Sequence, residues 1–169
     1  VRRTKTFERL LSAPVSLHAF VIGESLSGFL YSIGIALVPF IVGMLAFGTM
    51  IASPLMLIAG LLLTALVFST MGTLFAAYPT ESPGDIMSML NLVRLPLIFV
   101  SGTFIPLGAM PPIGKEISYI SPLTYGNDLI QGACGQAAFF DPFVDVIMLV
   151  LFFIAFQFIA HRLYVQFND

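Results

Sequence analysis

Between Glu24 and Glu81 lie 56 residues without a single Asp, Glu, Lys, Arg or His. Wound as one α-helix at about 1.5 Å per residue, that stretch would extend roughly 84 Å, against a hydrocarbon core of about 30 Å. It must fold back and cross a bilayer twice. The whole chain agrees, with 58% hydrophobic and 9% charged residues, where an ordinary soluble domain carries about 25% charge. A mean hydropathy of +0.99 makes the same point. The chain reads as an all-α integral membrane protein.

Several classes are excluded. A formal net charge of −2 gives no basic footprint for nucleic acid, and the one cysteine, Cys134, allows no disulfide framework. With no Trp, an interfacial aromatic belt falls to the 5 Tyr, while the 17 Phe face lipid or pack. The chain opens on Val1 and reads as an excerpt of a longer one. Its basic start is not a signal peptide, because the apolar run that follows is too long and has no cleavage pattern.

Helix starts are marked by repeated punctuation. Ser53, Ser82, Ser121 and Asp141 each stand directly before a proline. Such a pair fits an N-cap followed by Pro at the first helical position, where a missing N–H does no harm. At Ser82, Asp85 follows three residues on and completes a capping-box-like arrangement. A further helix begins after Pro14, capped by Ser16. The pattern predicts four transmembrane helices near 17–48, 54–78, 84–107 and 142–162. The Pro- and Gly-rich stretch 108–141 predicts two short helices, about 113–120 and 122–134, that dip into one membrane face as re-entrant elements. Of the 7 basic residues, Arg2, Arg3, Lys5 and Arg9 precede the first crossing and Arg162 follows the last, while only Lys115 lies in the long connection. The positive-inside rule then puts both ends in the cytoplasm and 108–141 outside.

Ahead of the first crossing, residues 4–13 form an amphipathic pattern. Phe7, Leu10 and Leu11 stand at helical spacing, with Lys5, Glu8, Arg9 and Ser12 around the remainder. This predicts an interfacial helix, serving either as a basic anchor or as a docking surface for a cytoplasmic partner.

Two blocks resemble the ABC-2 type transporter permeases. Residues 6–16, TFERLLSAPVS, resemble the cytoplasmic segment ahead of that family's third membrane helix. Residues 91–131, NLVRLPLIFVSGTFIPLGAMPPIGKEISYISPLTYGNDLIQ, resemble its fifth helix, with an SG-x-F-x-P ending, an external MP element and a Pro-Leu-Thr-Tyr helix. Order and spacing agree over nearly the whole chain. The resemblance implies that 1–169 is a partial permease domain of a six-crossing protein, with the first two crossings upstream. It implies a multi-pass protein of a prokaryotic cell membrane, an exporter subunit that meets a second permease copy and is driven by a separate cytoplasmic ATPase holding ATP and Mg. Lys5, Phe7, Glu8, Arg9, Leu10 and Leu11 would receive that ATPase. Drugs, lipids and glycans are the implied substrate classes, and sparse intramembrane charge favours an amphiphilic cargo. Where the family often carries a basic residue after Gly23, this sequence has Glu24.

Among single residues, Arg94 is the most informative. Counting back from Pro106 by the roughly 20 residues of a crossing starts the helix near Met87 and puts Arg94 about 10 Å inside it. A guanidinium there snorkels, pairs with Glu24 or with an upstream acid, or lines a substrate path. Ser101, Thr103, Tyr125 and Asp128 are the remaining candidates for a path or gate. Tyr125 and Asp128 share a helix face, in a block that also holds Tyr119, Asn127 and Gln131. The plainer reading is that this block satisfies re-entrant backbone groups and contacts headgroups. Gly28, Ser32 and Ala36, and again Gly72 and Ala76, form small-residue stripes that let helices approach closely. Pro39 and Pro96 interrupt helix interiors. His18 and His161 make no metal-site spacing, and Glu24 reads as a structural residue near a helix start.

Catalytic motifs are missing. Gly114-Lys115 lacks the upstream glycine of a nucleotide-binding loop, no HExxH occurs, residues 23–27 are no nucleophile elbow, and Ser101-Gly102 lacks a His partner. The chain has no cofactor motif of its own and is not read as an enzyme. The rival reading is a non-transporting membrane scaffold or an intramembrane enzyme using Arg94.

Overall fold

Every one of the four pairs in which Ser or Asp precedes Pro starts a helix in the computed structural model, which describes residues 17–48, 50–77 and 82–166. Among them are six α-helices: α1 (Leu17–Phe47), α2 (Pro54–Ala76), α3 (Pro83–Val100), α4 (Pro112–Ser118), α5 (Pro122–Ala133) and α6 (Pro142–Gln166), with a 3₁₀ turn at Leu107–Ala109 before α4. The amphipathic segment 4–13, with Ser16, lies outside the described residues.

The starts work mainly through backbone geometry. Ser53, Ser82 and Ser121 are extended, with Pro next, but none of their side chains makes a capping hydrogen bond. The proline's fixed φ sets the first turn without one. Asp141 is different, because the Phe143 amide donates to its Oδ1 at 2.9 Å.

Among the described residues three helices are long and apolar enough to cross a membrane: residues Val21–Ala46 of α1, α2 and α6. The fourth expected crossing is not among them. It was expected over 84–107, but α3 ends at Val100 after 18 residues and carries Asp85, Ser88, Asn91 and Arg94. It stops where Gly102 turns the chain at φ +84°, and the Ser101 hydroxyl, donating back to the Ile98 carbonyl at 2.8 Å, closes its last turn. A left-handed backbone there favours glycine. The two short helices of 108–141 form as expected, as α4 and α5.

The centre of the bundle is α2, which packs on α6, α1 and α5, whereas α3 touches α2, α4 and α5 only lightly. Small residues permit the close approaches. A Cβ at Gly28 would come within 2.5 Å of Ser69 Oγ, so the Gly28 stripe packs α1 on α2 within the chain. The second stripe does not act this way, since nothing lies within 4 Å of a Cβ at Gly72. Two apolar clusters form, one from Val21, Ala77, Ala160 and Tyr164 and one from Val67, Tyr125, Leu129 and Leu149. Elsewhere Leu30, Tyr31, Leu45, Leu55 and Phe158 point outward, as a surface solvated by lipid requires. The turn before α2 is tied to the end of α5, with the Ala52 and Ser53 amides donating to the Ala133 carbonyl at 2.8 and 3.1 Å.

Candidate functional site

Polar side chains collect at the end of the bundle where α3 stops and α4 and α5 begin. Ser101, fully buried, shares a hydrogen bond of 2.7 Å with Thr103, and its carbonyl accepts from Asn127 Nδ2 at 3.3 Å. That bond fastens the end of α3 to the middle of α5. One residue further along α5, Asp128 is buried and accepts the Phe139 amide at 2.8 Å and the Phe140 amide at 2.8 Å. The loop that returns from α5 to α6 is thus held by one carboxylate.

An aromatic layer sits beneath. Tyr125 donates to the Tyr119 carbonyl at 2.8 Å, and its ring lies 5.3 Å from Phe140 and 6.2 Å from Phe152. Burial pushes the Tyr125 hydroxyl above the ordinary tyrosine range, and the nearby Asp145 and Tyr119 push it the same way. It therefore remains a hydrogen-bond donor at neutral pH. Beside Asp128 opens a cavity of about 210 Å³, lined by Gly102, Leu107, Asn127, Asp128, Gln131 and Phe139 among others. Its polar wall belongs almost entirely to α5.

The structure brings together Ser101 and Thr103 with Asn127 and, through α5, with Tyr125 and Asp128. It does not bring Arg94 to them. Arg94 is exposed on α3, two turns before Ser101. The alternative in which Arg94 pairs with Glu24 is also not what forms, because Glu24 accepts a 2.7 Å hydrogen bond from Tyr164 at the far end of α6. Lys5, Phe7, Glu8, Arg9, Leu10 and Leu11 lie outside the described residues. Among the described residues no group of three or more His, Cys, Asp or Glu is placed to hold a metal ion.

A second polar group escapes sequence reading. Ser25 Oγ donates to the Val21 carbonyl at 2.9 Å and lies 3.2 Å from Thr73 Oγ1 and 3.3 Å from Gln157 Oε1, while Ser69 donates to the Ser25 carbonyl. Three helices, α1, α2 and α6, meet there. The signal was Ser69 and Thr73 four apart in an otherwise greasy span, but the partners lie 44 residues or more away in sequence.

The match to the ABC-2 type transporter family covers residues 1–134. The chain belongs to that family. Among its curated relatives, the inner membrane transport permease YadH of Escherichia coli, in several strains, and of Shigella flexneri is 27% identical over 121 residues. That alignment takes in 72% of this chain and 47% of the relative, so the chain spans about half the length of the curated relatives it matches. No solved structure matches it. Within the ABC-2 frame the segment 101–133 lies wholly inside the matched region, whereas α6 lies beyond it.

Proposed function

We propose that this chain is the membrane-spanning part of an ATP-driven ABC-2 exporter that moves an amphiphilic substrate of the drug, lipid or glycan class. Two permease copies meet around a path, both ends of this segment face the cytoplasm, and residues 4–13 receive a separate ATPase that holds ATP and Mg. Closure of the ATPase pair shifts that docking segment and alternates access, with the α4–α5 end acting as the outer gate.

The observation that carries this reading is α3. It lies in the chain between apolar spans, is only lightly attached to the other helices, and leaves Asn91 and Arg94 exposed. Arg94 stands 11 residues, about 16 Å, into α3, and a guanidinium on a helix set between apolar spans needs water or protein around it. A path between two permease copies supplies both. The test is co-purification of the complete permease with candidate ATPases, followed by ATP turnover. Glu8→Ala and Arg9→Ala are expected to lower turnover, and Arg94→Gln to lower transport while the complex still assembles. Failure to capture any ATPase in mild detergents, or labelling of Lys5 and Lys115 on the same side of the bilayer, overturns the reading.

A further inference from the structure

Ser121, Thr124, Tyr125 and Asp128 stand at positions i, i+3, i+4 and i+7, one face of α5 and its cap. All four are buried, at 1%, 0%, 3% and 3% exposure. Tyr125 and Asp128 have the partners described above. The Ser121 and Thr124 hydroxyls have none. Neither has Asp145, in the first turn of α6, which is 0% exposed with both carboxyl oxygens unpartnered. The two helices pack on each other, and Tyr125 shares an apolar cluster with Leu149, one turn after Asp145, and with Val146 beside it. Four orphan oxygens therefore lie on two helices that pack together, at the start of α5 and in the first turn of α6.

Buried polar atoms in folded proteins are nearly always partnered, and a cluster that is not marks a place for water or an ion. Here the cluster is short of positive charge. Between Gly108 and Asp145 the only basic residue is Lys115, against Glu116, Asp128, Asp141 and Asp145. The helix dipoles at the starts of α5 and α6 offset part of this but supply no donor to Asp145. We infer that Asp145, Ser121 and Thr124 form a site for a monovalent alkali cation between α5 and α6. The donor set is all oxygen, as a hard cation requires. Each hydroxyl offers lone pairs to the ion. A divalent ion is disfavoured, because it asks for several carboxylates and no such group of three is placed here among the described residues. Asp128, on the same face of α5, also lines the 210 Å³ cavity beside that helix.

The site is independent of what the permease carries, and the test reads stability instead of transport. The complete permease in detergent is unfolded thermally in sodium, potassium or N-methyl-D-glucamine chloride at equal ionic strength. Wild type is expected to melt about 5–10 °C higher in a saturating concentration of one of the alkali salts than in the organic cation. Thr124→Ser and the exposed Glu116→Gln are expected to keep that difference. Thr124→Val and Asp145→Asn are expected to lose it, with Asp145→Asn melting no lower than wild type does in N-methyl-D-glucamine. Identical melting of wild type in all three salts overturns the proposal and leaves the cluster to water or to a neutral acid. So does a salt response that survives unchanged in Asp145→Asn.

Discussion

Replacing Gly126 by alanine tests the packing of α5 on α2 through a change of sign. A Cβ at Gly126 would run into Thr64, overlapping its Oγ1 and lying 3.0 Å from Cγ2 and 3.1 Å from Cβ. Rotating Thr64 about χ1 exchanges its branches but leaves its Cβ in place, and a β-branched residue in a helix has few rotamers to offer. The helices must therefore separate, which as overpacking costs about 1–3 kcal/mol. Alanine also favours the helix over glycine by about 0.8–1 kcal/mol, so Gly126→Ala is expected to destabilise by about 0–2 kcal/mol net. Thr64→Gly removes the obstacle, Cβ included, and forfeits no hydrogen bond, since Thr64 Oγ1 is itself buried without a partner. In that background Gly126→Ala is expected to stabilise, by about 0.5–1 kcal/mol. The measurement is the melting temperature of the four proteins of the double-mutant cycle in one detergent, where 1 kcal/mol corresponds to about 2–4 °C. Equal effects of Gly126→Ala in both backgrounds would refute the claim that Thr64 is what glycine makes room for.

Tyr164→Phe removes the donor to Glu24 and is expected to cost about 1 kcal/mol, read as a lower melting temperature. Glu24→Gln, which keeps an acceptor for that hydroxyl, is expected to cost less. Asp128→Asn leaves one acceptor oxygen where two now hold the Phe139 and Phe140 amides, so faster hydrogen exchange at residues 135–140 is expected, with a loss of about 1–3 kcal/mol; unchanged exchange there would contradict the clamp. Because Tyr125 holds its proton more tightly folded than unfolded, its contribution is whole below the ordinary tyrosine value of about 10 and fades as pH rises beyond it. Tyr125→Phe is expected to flatten the alkaline loss of stability.

Helix starts were the most legible feature of the sequence, because a proline at the first helical position acts locally. The side-chain caps imagined with them were not, since only Asp141 uses its side chain that way. The length of α3 differs from the expected one because Phe104 and Ile105 carry the apolar pattern on to Pro106, while the stop is set by Gly102 in a left-handed turn. Hydropathy does not register such a turn. Of the candidate site, Ser101, Thr103, Tyr125 and Asp128 were readable as polar residues in a greasy block. Their partners were not, because Asn127, Phe139 and Phe140 reach them through tertiary folding. Asp145 was hidden by its ordinary place in a first helical turn, where an acid usually needs no explanation.

The knot of Ser25, Ser69, Thr73 and Gln157 restricts how this permease can change shape. Helices joined only by apolar side chains slide past one another with little resistance in lipid. Here a one-turn slip, about 5.4 Å, would strip hydroxyl and amide partners from α1, α2 and α6 at once, with no water nearby to replace them. Those three helices are therefore keyed to a single vertical register. Internal rearrangement falls to α3, whose joint is the turn at Gly102.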